Sequence, residues 1–184
     1  MDLFDAIAKR HSYRGHFTDA PVARADLVRM VDAGIRAPSG CNAQTTSFLI
    51  VDRPELLEKI AAQLERPVAR EARALIVCVV EHRPVYHGMS FGVEDCAAAV
   101  ENMLLAITAL GYASVWLDGV LRRDGRAARI AELLGIPSER EVRVVLPVGV
   151  PAEVWPQRDR KPFVQRAGFN HWSDLQPPPA AGGV

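Results

Sequence analysis

Hydrophobic positions in this chain recur at helical spacing first. Leu3, Phe4 and Ile7 share one face of a helix expected over residues 2–10, with Asp2 as its N-cap. Leu27, Met30, Val31 and Ile35 mark a second helix over 24–36, which Pro38 brings to an end. "SFLIVD" then reads as a strand. Asp52 and Pro54 open a third helix striped by Leu57, Ile60, Ala61 and Leu64. The spacing changes at "ALIVCVV", residues 74–80. This continuous apolar, β-branched run is the pattern of a central strand buried on both faces.

Residues 91–111 are Ala-rich and apolar around most of a helical circumference. Such a helix must be covered by a core or by a second subunit. Gly111 is its expected C-cap. "SVWLDG" reads as a short strand and turn, residues 122–134 as another helix stopped by Gly135 and Pro137. "VRVVLPVGV", 142–150, is a strand in which Pro147 predicts a bulge or an edge position. A Pro- and Arg-rich extension follows, and "PPPAAGGV" has the composition of a disordered tail. Strands alternate with helices without a clean βαβ series. The expectation is an α+β or α/β fold in three layers, α-β-α, with a mixed or antiparallel sheet. Residues 1–175 form one domain and 176–184 the tail.

Composition narrows the classes. With 22 basic and 22 acidic residues, the whole chain has no electrostatic case for nucleic acid or an anionic membrane. Cys41, Cys78 and Cys96 are odd in number and lack a CxxC pair, as in a reduced intracellular protein. No signal-peptide core opens the sequence and no run is long enough to span a bilayer. A cytoplasmic protein is expected.

The chemistry-bearing residues are sparse. Nucleotide-binding glycine motifs, serine-hydrolase elbows and zinc-protease helices are all missing from the sequence. His82 and His87 read as loop histidines, without metal. Glu94 and Asp95 fit the positive end of the long helix as caps. Cys78 and Cys96 read as core. Two basic clusters remain, "KRHSYR" at 9–14 and "RDRK" at 158–161. The connector "RAPSGCNAQTT" carries Ser39, Asn42 and Gln44, more hydrogen-bonding groups than a turn needs. Arginines grip phosphate bidentately, and Asn or Gln amides pair with a heterocycle edge. Together they suit a ligand with a phosphate at one end and a flat, amide-bearing ring at the other, the outline of flavin mononucleotide (FMN).

"RHS" at 10–12, "APSGCNAQ" at 37–44, "EDCAAAVENMLLAITALGYASVWLDG", and "VVLPVGVP" followed by "RDRKP" occur in an order that resembles the FMN-dependent nitroreductase family. The resemblance runs from about residue 3 to residue 163 and implies an interlocked homodimer with FMN between the subunits. It implies that Arg10, His11, Ser12 and Arg14 hold the phosphate and ribityl chain, with Arg158 and Arg160 closing over the phosphate. Pro38, Ser39, Gly40, Asn42 and Gln44 would lie by the ring, some of them the partner's ring. Trp116, Leu117, Asp118 and Gly119 would meet it through backbone. The implied activity is ping-pong reduction of nitroaromatics, quinones or related small acceptors by NADH or NADPH. No catalytic side chain is required, because the cofactor carries the chemistry. A narrower reaction (reductive dehalogenation, enone reduction or flavin breakdown) and a non-catalytic FMN-binding module are the alternatives. Arg83, Arg122 and Arg123 are the arginines available to read a nicotinamide 2′-phosphate. This chain has Gln44-Thr45-Thr46 where the family commonly has Gln-Pro-Trp, a change expected to alter the packing under the loop.

Overall fold

A computed structural model of the protein describes residues 1–175; the predicted tail, 176–184, lies outside them. The elements are α1 (Leu3–Lys9), α2 (Arg24–Ile35), β1 (Thr46–Val51), α3 (Pro54–Leu64), α4 (Pro67–Glu71), β2 (Ala74–Glu81), α5 (Gly92–Ala109), β3 (Ala113–Ser114), α6 (Arg126–Leu134) and β4 (Arg140–Gly149). The strands form one sheet in the order β1-β2-β4-β3, antiparallel at every pairing and not mixed.

β2 explains the layering. Its side chains alternate between two cores, as the apolar run requires. Leu75, Val77 and Val79 pack with α3, α4 and α6 through Ile60, Leu64, Val68 and Ile130. Ala74, Ile76, Cys78 and Val80 pack with α2 and α5 through Leu27, Met30, Val100, Met103 and Ile107. The expected three layers are therefore present.

Several local expectations need correction. The Leu3/Phe4/Ile7 face of α1 is exposed, and the small residue Ala6 is buried instead. Ile35 is exposed at the end of α2 while its neighbour Gly34 is buried. Asp52 does not cap α3; it pairs with Arg24, and the N-cap position is Arg53. α6 begins at Arg126, later than expected, because Asp124 (φ 55°) and Gly125 (φ 66°) are left-handed and break the helical run. Leu110 closes α5, with Gly111 the left-handed residue after it.

β4 is internal to the sheet despite Pro147. Leu117 and Val145 exchange two backbone hydrogen bonds (3.1 and 2.9 Å). By strand alternation Pro147 faces the same side, in the gap between Leu117 and the Ser114–Val148 pair. Its missing N–H therefore falls where the ladder is already interrupted. The bulge lies elsewhere: Cys78 pairs with Val144 and Val79 with Val142, which leaves Arg143 as the extra residue.

Candidate functional site

The two basic clusters, about 145 residues apart in sequence, meet. An aromatic group holds them together: Tyr13 is buried, 5.3 Å from Phe17 and 6.1 Å from Trp155 between ring centroids. Backbone bonds from Thr18 N to Val150 O (2.9 Å) and from Ala152 N to His16 O (2.8 Å) zip the two segments side by side. Glu71 accepts from Phe17 N at 3.1 Å and from the His16 ring at 2.9 Å, tying the same segment to α4. The hydrogen bond that the His16 ring gives to Glu71 is the main cause of a raised His16 pKa; the Glu71 charge adds to this.

The result is a cleft of about 440 Å³ lined by His11, Ser12, Arg14, Trp155, Pro156, Gln157, Arg158 and Arg160. Among the described residues no carboxylate lines it. Arg158 and Arg160 make no ion pair among the described residues, and Arg14 has only a long contact (3.4 Å) to Ser12 O. His11 Nδ1 bonds to the Lys9 carbonyl at 2.8 Å, so it must be the protonated nitrogen. His11 Nε2 is buried without a partner among the described residues. The Ser12 hydroxyl and the Arg14, Arg158 and Arg160 guanidinium groups form a donor set that fits a phosphate.

Arg10 does not line that cleft. It pairs with Glu101 on α5 at 3.2 Å and borders a smaller cavity on the other side of His11. Trp116, Leu117, Asp118 and Gly119 line a groove that meets the basic cleft at Arg14, which lines both. The basic cleft and the β3 turn are thus contiguous. Asp118 pairs with Arg122 at 2.7 Å.

The loop of Pro38, Ser39, Gly40, Asn42 and Gln44 lies apart, with Pro38, Ser39 and Gln44 around a different and smaller cavity. It is over-determined. Cys41, Asn42 and Gln44 all have φ between 51° and 53°, three left-handed non-glycine residues within four positions. Ser39 Oγ accepts from Gln44 N at 3.0 Å. Gly40 is required by a close approach: a Cβ there would stand 2.4 Å from a ring carbon of Phe91. Arg83 donates to Ala43 O at 2.9 Å, which accounts for one of the arginines considered for a 2′-phosphate.

Asp95 is the residue that sequence reasoning misassigned. It is buried, and it does not cap α5. Its carboxylate accepts from Gly40 N at 2.8 Å and from Thr45 Oγ1 at 2.7 Å. Thr45, where the family commonly has proline, supplies that second bond. The signal was readable only as a pair: an acid near a helix start and a hydroxyl 50 residues earlier. By contrast, Asn42 has no side-chain partner among the described residues, and Gln44 Nε2 makes only a 3.4 Å contact with Asn42 O. Ser39 therefore serves the loop itself, while the two exposed amides keep most of their hydrogen-bonding capacity unused among the described residues. His82 bonds to Glu141 at 2.5 Å, and His87 packs its ring edge-on against Tyr86.

A sequence model of the nitroreductase family matches residues 7–76 and 62–150. A protein of Archaeoglobus fulgidus, provisionally named an NADH dehydrogenase/NAD(P)H nitroreductase, is 34% identical over 81% of this chain and 82% of its own length. A protein of Parabacteroides distasonis with the same provisional name has a crystal structure that superposes with a TM-score of 0.79. It is 27% identical and covers 92% of this chain and 98% of its own. An iodotyrosine deiodinase solved with FMN and 3-iodo-L-tyrosine superposes at 0.75, with 26% identity over 88% of this chain and 96% of its own. Matched along most of its length in sequence and in fold, this chain belongs to the nitroreductase family.

Proposed function

We propose that the protein is an FMN-dependent oxidoreductase that uses NADH or NADPH to reduce nitroaromatics, quinones or related small acceptors by a ping-pong mechanism. The observation that carries this reading is the acid-free cleft where Ser12, Arg14, Arg158 and Arg160 converge, joined through Arg14 to the Trp116–Gly119 turn. When bound, FMN supplies the chemistry, taking hydride from the nicotinamide and giving electrons to the acceptor. The chain's own residues bind and orient. Arg14, Arg158 and Arg160 neutralise the phosphate, with His11 and Ser12 as short-range partners. Backbone from Trp116, Leu117, Asp118 and Gly119, which lines the adjoining groove, would border the ring. Arg10, paired with Glu101, lies outside the cleft and is not among its phosphate-holding groups.

Pro38, Ser39, Gly40, Asn42 and Gln44 fit the ring's polar edge, but of a cofactor held by a second copy of the chain, because the loop lies apart from the basic cleft. We take the working form to be a homodimer in the cytoplasm. Exposed Leu3, Phe4 and Ile7 on α1, and Phe163, Phe169 and Trp172 near the C-terminal end, supply apolar surface for a partner. All three cysteines are free, in keeping with a reducing compartment.

The test is anaerobic titration of the FMN-loaded protein with NADH and with NADPH, followed by addition of a nitroaromatic or a quinone. Bleaching of the yellow absorbance and its return on adding the acceptor are expected. Bound flavin that neither nucleotide bleaches would instead indicate a non-catalytic module. A second reading, reductive dehalogenation, is favoured by the likeness to the iodotyrosine deiodinase. Iodide release from 3-iodotyrosine by the reduced protein, at a rate above that of nitroaromatic reduction, would select it.

A further inference from the structure

One cation sits where a sheet ordinarily tolerates none. Arg143 is the unpaired residue of the β4 bulge, and its side chain is only 14% exposed. A partly buried charge in a strand is costly unless its partners are arranged around it. Here two are: Arg143 Nη2 lies 3.8 Å from Asp118 Oδ2, and Nη1 lies 3.7 Å from Glu141 Oε1. Glu141 in turn takes His82 on its other oxygen. The arrangement depends on the bulge. Leu117 and Val145 lock β4 to the β3 turn by two backbone bonds, so the next residue of the turn, Asp118, emerges beside the bulged stretch. A regular ladder would not leave Arg143 as the extra, unpaired residue there. Bulges recur beside active sites for this reason, because they re-aim a side chain.

We infer that Arg143 is a positioning residue for the ring site, acting through Asp118. This rests on the flavin reading above. Asp118 belongs to the turn that borders the ring, and its carboxylate has two counter-charges, Arg122 at 2.7 Å and Arg143. Reduction places negative charge on the ring, so an under-compensated carboxylate in the turn would oppose it. Arg143 holds the turn and offsets that carboxylate, favouring the reduced cofactor without touching it.

The experiment uses the full-length protein loaded with FMN, as wild type and as Arg143→Met, Arg143→Lys and the pair Arg143→Met/Asp118→Asn. Flavin affinity is read by fluorescence titration and midpoint potential by dye equilibration. Arg143→Met should still bind oxidised FMN, with the preference for reduced over oxidised flavin down about tenfold, a potential about 30 mV more negative. Arg143→Lys should keep the wild-type potential, and adding Asp118→Asn to Arg143→Met should recover most of the loss. An unmoved potential in flavin-loaded Arg143→Met, or a loss that Asp118→Asn does not recover, overturns the inference while leaving the flavin reading intact. Should Arg143→Met not fold, Asp118→Asn alone decides: a more positive potential supports the inference and an unchanged one overturns it. Wild-type protein that takes up no FMN overturns both.

Discussion

The basic cleft and the Pro38–Gln44 loop carry groups of similar polarity but are built in opposite ways. The cleft's arginines make no ion pair among the described residues, on chain segments that the Tyr13–Phe17–Trp155 aromatics and two backbone hydrogen bonds bring together. The loop is fixed by Asp95, Ser39 and Arg83 and holds three residues in left-handed backbone. A multiply charged phosphate can be held from many directions by flexible guanidinium groups, so the cleft needs little scaffolding. A ring edge presents donors and acceptors at fixed spacing, so amides that read it must be set in advance.

The sharpest way to break this contrast is at Asp95. Asp95→Ala removes a buried carboxylate with two charge-assisted hydrogen bonds and strands Gly40 N–H and the Thr45 hydroxyl. A stability loss on the order of 3 kcal/mol is expected in urea unfolding. An effect below about 0.5 kcal/mol, ordinary for surface changes, would mean the loop is not over-determined.

Arg160→Ala should do the reverse. It should leave the urea midpoint in place and weaken FMN binding by about ten- to a hundredfold, the equivalent of roughly 1.5–3 kcal/mol. Titration of the apoprotein measures it. Arg10→Ala offers a built-in contrast, since that side chain is engaged by Glu101 outside the cleft; it should cost less affinity than Arg160→Ala.

At Asn42 the informative change is to glycine, which keeps φ near +53° without strain while deleting the amide. One neutral hydrogen bond of about 0.5–1.5 kcal/mol predicts an FMN affinity two- to tenfold lower. Unchanged affinity and unchanged rate of reduction by NAD(P)H would reduce the loop to a connector.

The smallest effect is a pH dependence that should touch the cleft and spare the loop. The folded pKa of His16 is raised, chiefly by its hydrogen bond to Glu71. Its contribution is therefore fully present below the usual imidazole range and lost as pH rises through the raised value. Unfolding followed from pH 6 to pH 9 should show a slight decline that His16→Ala abolishes. A decline of equal size in that variant would assign it to other groups.

Much of the scaffold was legible because it follows from periodicity. The run 74–80 announced a strand buried on both faces, which holds; the apolar circumference of 91–111 announced a helix, and α5 buries one side of it in the core of this chain. What stayed hidden depends on contacts between residues distant in sequence. Asp95 looked like a helix cap because its real partners lie 50 and 55 residues away. Arg10 looked like a member of its cluster because sequence cannot show Glu101 beside it. The bulge at Arg143 leaves no mark in a strand pattern, since an extra residue in a ladder is defined only by the register of its neighbour. Tyr13 and Trp155 were passed over for the charges around them, although the aromatics bring those charges together.

The exposed face of α1 has a thermodynamic consequence. That seven-residue helix carries Leu3, Phe4 and Ile7 outward and runs directly into Arg10, His11 and Ser12. Anything that covers the face also restrains the strand of chain that forms one wall of the cleft. Association and ligand uptake are then linked functions. Whatever factor a partner adds to affinity in the cleft, an occupied cleft must return to the affinity for the partner.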